Sequence, residues 1–286
     1  MSLKKYYRSC KALARQVDRD RYLSALFASK EKRRYLFSIA AFNFEIARIR
    51  DHVTEPMIGE LRLQWWRDAV DGRAAGDATR SPIASALIDT IKHFDLPRAY
   101  FHEIIDARAF DLYGDPMPTL ARLETYLNST STSLMQLGAQ ILAGKETADT
   151  AEVAAHAGRA YAITGLLRSF APHAARGQIY VPPLDVLARH AASGDDVISG
   201  RATVGVLAAL REMRDLARFH LMEAQKRMVT LPKTVLPAFL PVELVAGSLE
   251  RMEKPEYEPF KSQIQMPQWL RPWTLWRAAR RLKSRG

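Results

Sequence analysis

Apolar residues recur at three- and four-residue intervals through most of the chain, and alternating strand-like runs closed by Asn-Gly or Asp-Gly turns are missing. The pattern predicts an all-α protein with helices over 3–17, 30–52, 57–74, 82–94, 97–113, 119–143, 148–172, 184–192 and 199–229. Several ends are readable. Thr54-Glu55-Pro56 stops one helix and opens the next, Pro82 and Pro97 stand in first turns where a missing N–H costs nothing, and Gly144 follows a long apolar segment. Short connections between long helices imply antiparallel neighbours in a bundle. After Leu231 the texture changes: seven prolines (Pro232, Pro237, Pro241, Pro255, Pro259, Pro267 and Pro272) break any long helix. The expected organisation is one helical domain over 1–262, strapped from about 232 by short helical pieces, and a partly independent tail over 263–286.

Composition narrows the class. A chain of 286 residues with 48% hydrophobic and 26% charged residues can bury a large core, so general disorder is excluded. The single cysteine, Cys10, has no partner for an internal disulfide and no neighbour that would make a zinc motif. The basic N-terminus lacks an apolar core and a cleavage site, and the longest apolar stretches fall well short of the ~20 residues that span a bilayer. The expectation is a chain kept whole, inside the cell. Its formal net charge of +11 favours an anionic partner. No zinc-finger spacing, recognition helix or aromatic RNA-binding motif accompanies that charge, so nucleic acid is not expected as the partner.

Three stretches carry candidate chemistry. The first runs from Asp20-Arg21-Tyr22-Leu23 through Tyr35-Leu36-Phe37 and Phe42 to Ala47-Arg48-Ile49-Arg50-Asp51. The second is Arg62-Leu63-Gln64-Trp65-Trp66-Arg67-Asp68. The third is Ile163 to Pro182, with Arg168-Ser169 and His173 followed by Arg176-Gly177-Gln178-Ile179-Tyr180-Val181-Pro182. In this order they resemble the squalene/phytoene synthase family over about residues 18–230. The resemblance implies an isoprenoid (terpenoid) synthase-like helical bundle with a central cavity. Two aspartate-rich helices would face each other across its mouth and hold Mg²⁺, which neutralises the departing diphosphates of two prenyl substrates.

The resemblance breaks at the chemistry. Where the family's first motif has three aspartates, this chain has Ala47, Arg48 and Asp51; where the second has two, it has Ser169 and His173. Four of five carboxylates are gone, and Arg48 puts a fixed positive charge where a cation should bind. No metal and no catalytic residue are therefore expected, and Mg²⁺ is needed only if the chain is an enzyme. Asp51 reads as the ion-pair partner of Arg48, three residues back on the helix. Trp65 and Trp66 read as buried, with Arg62 and Arg67 pairing with acids such as Asp68 or contacting an anion at the cavity rim. Tyr180 reads as bonding a buried carbonyl near the turn at Gly177. A sharper alternative groups Arg48, Arg176 and Tyr180 into a metal-free anion site for a lipid phosphate or a prenyl diphosphate.

The tail, 269–286, has six basic residues, no acid and three of the five tryptophans. Helical spacing gathers Trp273, Trp276, Ala279 and Leu282 on one face, opposed by Arg277, Arg281 and Lys283. That arrangement suits the headgroup region of an anionic membrane surface, or docking on the bundle itself. The resemblance is to a degenerate-motif branch of the family that includes a mitochondrial respiratory complex I assembly factor. It implies a catalytically inactive assembly or scaffold protein whose partners are respiratory complex subunits, cytoplasmic and peripheral on the inner face of the inner membrane. A prenyl transferase with a rebuilt site and a protein binding an isoprenoid or phospholipid ligand are the alternatives.

Overall fold

The computed structural model describes residues 2–74, 76, 81–144, 149–264 and 266–284, with the backbone alone at Lys283. Among these residues there is no strand. The helices are α1 (Leu3–Val17), α2 (Arg19–Ala25), α3 (Lys30–Ala47), α4 (Pro56–Asp71), α5 (Pro82–Phe94), α6 (Arg98–Ala107), α7 (Ala109–Tyr113), α8 (Leu120–Leu127), α9 (Ser133–Ala143), α10 (Ala151–Arg168), α11 (Phe170–Ala174), α12 (Leu184–Arg189), α13 (Gly194–Ile198), α14 (Val204–Met228), α15 (Val245–Met252) and α16 (Leu270–Ser284).

Most expected helices are present, and several are shorter or broken. Helix 30–52 stops at Ala47 and gives way to a 3₁₀ turn, Arg50–His52. Segment 119–143 is α8 and α9 joined by a π-helical turn, Asn128–Thr132. Segment 148–172 breaks at Ser169, because Pro172 brings no N–H to the Arg168 carbonyl and its ring would collide with it. The sequence pattern omits α2. It is started by Asp18, whose carboxylate accepts the Arg21 backbone N–H at 3.1 Å.

The interior has two apolar lobes. One lies under α1, α3, α4, α5 and α6, centred on Phe42, Leu63 and Phe101; the other lies under α8, α9, α10, α14 and α15, with Ile163, Met213 and Phe239 at its centre. Helix α3 runs along the first lobe and meets α9 at the border, which explains why so much of it is apolar. Helix α10 packs along α14 and also crosses the π turn closely. A Cβ at Gly158 would lie 2.4 Å from Thr132 Oγ1, so glycine permits that approach. The 3₁₀ turns Leu236–Ala238 and Leu240–Leu244 strap the prolines of the 232–262 segment onto the core, where Pro237 and Pro241 are buried.

The tail packs against this strap. Leu275, Ala278, Ala279 and Leu282 are buried, and Arg281 donates to the buried carboxylate of Glu243 at 2.7 Å. The docking face keeps only part of the expected one: Ala279 and Leu282 lie in it, while Trp273 and Trp276 stand outside, 50% and 40% exposed. The Lys283 side chain lies outside the described residues.

Candidate functional site

The mouth of the bundle is formed where the end of α3 faces the break between α10 and α11. Ala47 is the last residue of α3 and Arg48 caps it; Asp51 sits on the following 3₁₀ turn. Across from them, Ser169 occupies the helix break and His173 lies in α11. The two motif segments do converge, and what joins them is an exposed ion pair: Arg176 Nη1 lies 3.9 Å from Asp51 Oδ1.

Asp51 is therefore not the partner of Arg48. Arg48 pairs with Glu45 at 3.4 Å, and its guanidinium lies 5.5 Å from the centre of the Phe44 ring. The reason is geometric. The α-helix ends at Ala47, so Asp51 no longer follows Arg48 on a continuous helical face. Arg48 instead lines a surface cleft of about 140 Å³ with Arg62, Trp65 and Trp66, which does not include Arg176 or Tyr180. Trp66 is buried and Trp65 half-buried. Arg67 pairs across to Asp106 on α6 at 2.7 Å, while Asp68 pairs with Arg73 at 3.0 Å.

Tyr180 turns inward to a carboxylate rather than to a carbonyl. Its hydroxyl donates to Asp111 Oδ1 at 3.0 Å, and the Tyr126 hydroxyl donates to the same carboxylate at 3.0 and 3.1 Å. Arg108 Nη1 completes the network, 3.0 Å from Asp111 Oδ2 and 2.6 Å from the Tyr126 oxygen. Burial first, and the Asp111 charge second, push the Tyr180 phenol well above its usual range, so it stays a donor. His173, its ring 5.0 Å from that of Tyr180, has its pKa lowered by burial and then by Arg176. Neutral imidazole is favoured there, and its Nδ1 has no hydrogen-bond partner among the described residues.

Behind the mouth lies a cavity of about 240 Å³. Arg21 from α2, Asn43 from α3, Arg108, Tyr161 from α10, Ser131 from the π turn and Ser169 all line it. The charged residues on this wall are both arginines, their side chains 19% and 17% exposed. Arg108 Nε and Ser131 Oγ have no hydrogen-bond partner among the described residues. Arg21 also borders a separate apolar crevice of about 40 Å³ lined by Leu36, Ile39, Leu134 and Met135. Arg21 stands in the first motif stretch with no role legible there, and Arg108 and Asp111 carry only a faint sequence signal, an Arg and an Asp three residues apart beside Phe110.

This wall offers guanidinium, amide and hydroxyl donors to a ligand and no carboxylate to a metal. Among the described residues no group of three or more His, Cys, Asp or Glu converges where an ion could be held. Mg²⁺ requires hard oxygen ligands in octahedral array, usually with one or two carboxylates. Ala47, Arg48, Ser169 and His173 do not fit that requirement.

Two motif segments facing each other across a central cavity in an all-α bundle define an isoprenoid synthase-like protein. The chain belongs to the squalene/phytoene synthase family, whose model matches residues 14–277. It is 30% identical over 268 residues to the rat NADH dehydrogenase (ubiquinone) complex I, assembly factor 6, covering 93% of this chain and 80% of that one. The human protein of the same name is 29% identical over 264 residues, covering 92% and 78%. The 15-cis-phytoene synthase of Synechocystis is 23% identical over 279 residues, covering 93% and 82%. Among solved structures, a dehydrosqualene synthase superposes with a TM-score of 0.83 at 18% identity, covering 99% and 98%. Squalene synthase HpnC from Alicyclobacillus acidocaldarius gives 0.74 at 22%, covering 87% and 94%. These structures share the fold.

Proposed function

We propose that this protein is a non-catalytic member of its family that serves as an assembly or scaffold factor for a membrane respiratory complex, complex I. The observation that carries the reading is the content of the five motif positions: Ala47, Arg48, Asp51, Ser169 and His173 stand where paired carboxylates would grip metal-bound diphosphate. Its curated relatives at about 30% identity are named as complex I assembly factors, whereas the phytoene synthases it matches stand at 23% and 25%. The test is deletion of the gene from a cell that carries it, followed by measurement of assembled complex I. Loss of the complex is expected, and an undiminished complex would count against the reading.

The reading includes a place of work at the cytoplasmic face of an anionic inner membrane. No helix among the described residues is long and apolar enough to cross a bilayer. On α16 the outward face presents stacked rings, Trp273 and Trp276, with centres 5.1 Å apart, and Arg280 lies 4.8 Å from the centre of the Trp276 ring. Trp269, 72% exposed, and Arg277 extend this surface. Tryptophan and arginine together suit the headgroup layer. Because α16 also supplies core residues, substitution is a cleaner probe than deletion. Changing Trp269, Trp273 and Trp276 to Ala is expected to weaken flotation with phosphatidylglycerol liposomes by about tenfold at unchanged thermal stability. Equal flotation of both proteins would remove the tail from the account.

A further inference from the structure

Another cleft, which shares no lining residue with the motif cavity, lies between α1 and the start of α3 and has a volume of about 370 Å³. Lys4, Arg8 and Lys11 form one wall, at the spacing that places them on a single face of α1; Lys30, Arg33 and Arg34, in the first turns of α3, form the other. Its floor is apolar: the ring of Tyr7, Phe37, and Leu26, which is 38% exposed. No carboxylate lines the cleft, and α1 has no acidic residue from Leu3 to Val17.

Part of this charge is held in place. Arg33 donates from Nε to the Ala28 carbonyl at 3.0 Å and from Nη2 to the Leu26 carbonyl at 2.7 Å. The Arg34 guanidinium lies 5.2 Å from the centre of the Tyr7 ring and 4.5 Å from that of Tyr35. Tyr7 is fixed in turn, donating its hydroxyl to Asp89 at 2.6 Å. The acids nearby are that Asp89, which points to Tyr7, and Glu31, whose pKa is lowered by its own backbone N–H and then by the Ser29 hydroxyl. Lys4, Arg8, Lys11 and Lys30 make no ion pair among the described residues. Six cations around one concave surface repel each other, and two neighbouring acids leave an excess. A concave site with one sign of charge concentrates counter-ions. Guanidinium forks match phosphate oxygens, while the apolar floor has nothing to offer a bare inorganic ion.

We propose that the cleft between α1 and α3 binds the phosphate head group of one anionic phospholipid, whose glycerol and first methylenes lie against Tyr7, Leu26 and Phe37. The site shares no lining residue with the motif cavity or with the tail surface. It is nonetheless tied to the tail through α2, since Leu26 caps that helix and Asp20, near its start, receives Arg271 at 3.3 Å. The full chain should be titrated, by calorimetry or NMR, with dihexanoyl phosphatidylglycerol below its micelle concentration. Parallel titrations use dihexanoyl phosphatidylcholine, inorganic phosphate and a short single-stranded RNA. The anionic lipid is expected to bind at least tenfold more tightly than each of the other three. Arg8→Ala with Lys30→Ala should weaken it at least tenfold, Arg8→Lys with Lys30→Arg should retain it, and Trp273→Ala should leave it unchanged. Thermal melting of the Ala variant, whose altered residues are exposed, reports that it is folded. Equal binding of phosphatidylcholine, of phosphate or of RNA overturns the proposal, as does a folded Ala variant with undiminished affinity.

Discussion

Incubation with farnesyl or geranylgeranyl diphosphate and Mg²⁺ is expected to give no condensed product, with Asp51→Ala indistinguishable from the unaltered protein. Condensation requires a diphosphate to leave carrying several negative charges, and hard cations held by carboxylate oxygens are what make that departure feasible. Of five motif positions, Asp51 alone keeps a carboxylate. The ion pair that Asp51 makes with Arg176 does not by itself forbid a metal: both side chains are more than 60% exposed, and such a pair is worth at most ~1 kcal/mol. The expectation rests on the missing ligands, since a single exposed carboxylate cannot hold an ion on both sides of a leaving group. Mg²⁺-dependent squalene, phytoene or a presqualene-type intermediate, lost in Asp51→Ala, would restore the enzyme.

Asp111→Ala is expected to be among the most damaging single changes outside the apolar core. The Asp111 carboxylate, 8% exposed, accepts from Arg108, Tyr126 and Tyr180, and thereby ties α7, α8 and the segment after α11 to one point behind the mouth. Its removal strands a nearly buried guanidinium and leaves two phenol donors without their acceptor. Breaking a buried ion pair from one side costs about 3–5 kcal/mol, a large share of the roughly 5–15 kcal/mol that stabilises a whole domain. At ~2–4 °C per kcal/mol for a chain of this size class, melting should fall by roughly 10 °C. Asp106→Ala is the comparison. Its pair with Arg67 is 60% exposed on the acid side, and its loss should cost under ~1 kcal/mol. Similar melting temperatures for the two variants would show that the Asp111 network is not a structural tie.

The all-α class, the order of helices and the loss of the motif acids were legible because each is a local property. Periodicity marks a helix without knowledge of its neighbours, and an Ala or Arg in place of Asp needs no coordinates. What was illegible depends on partners distant in sequence. Arg176 meets Asp51 across 125 positions, and the α3 helix had to end at Ala47 for Asp51 to turn toward it. Arg21 and Arg108 face one cavity from separate helices, so neither looks exceptional alone. The tail shows a different limit. Periodicity weights tryptophan as core, but the surface formed by 240–244 accepts the smaller Leu275, Ala278 and Ala279 and leaves the indoles outside, while Arg281 reaches back to Glu243. The start of α2 was readable in principle, since Asp18 is an N-cap residue of the preferred kind.

The central claim, a scaffold role that uses no prenyl-transfer chemistry, is tested most directly by complementation. Cells lacking the gene would receive either the unaltered chain or Asp51→Ala, and assembled complex I would be quantified in native gels alongside NADH-dependent quinone reduction by their membranes. The account predicts loss of the complex on deletion and equal restoration by the two proteins. Complex I that survives the deletion, or is rescued by the unaltered chain but not by a stably folded Asp51→Ala, would contradict it.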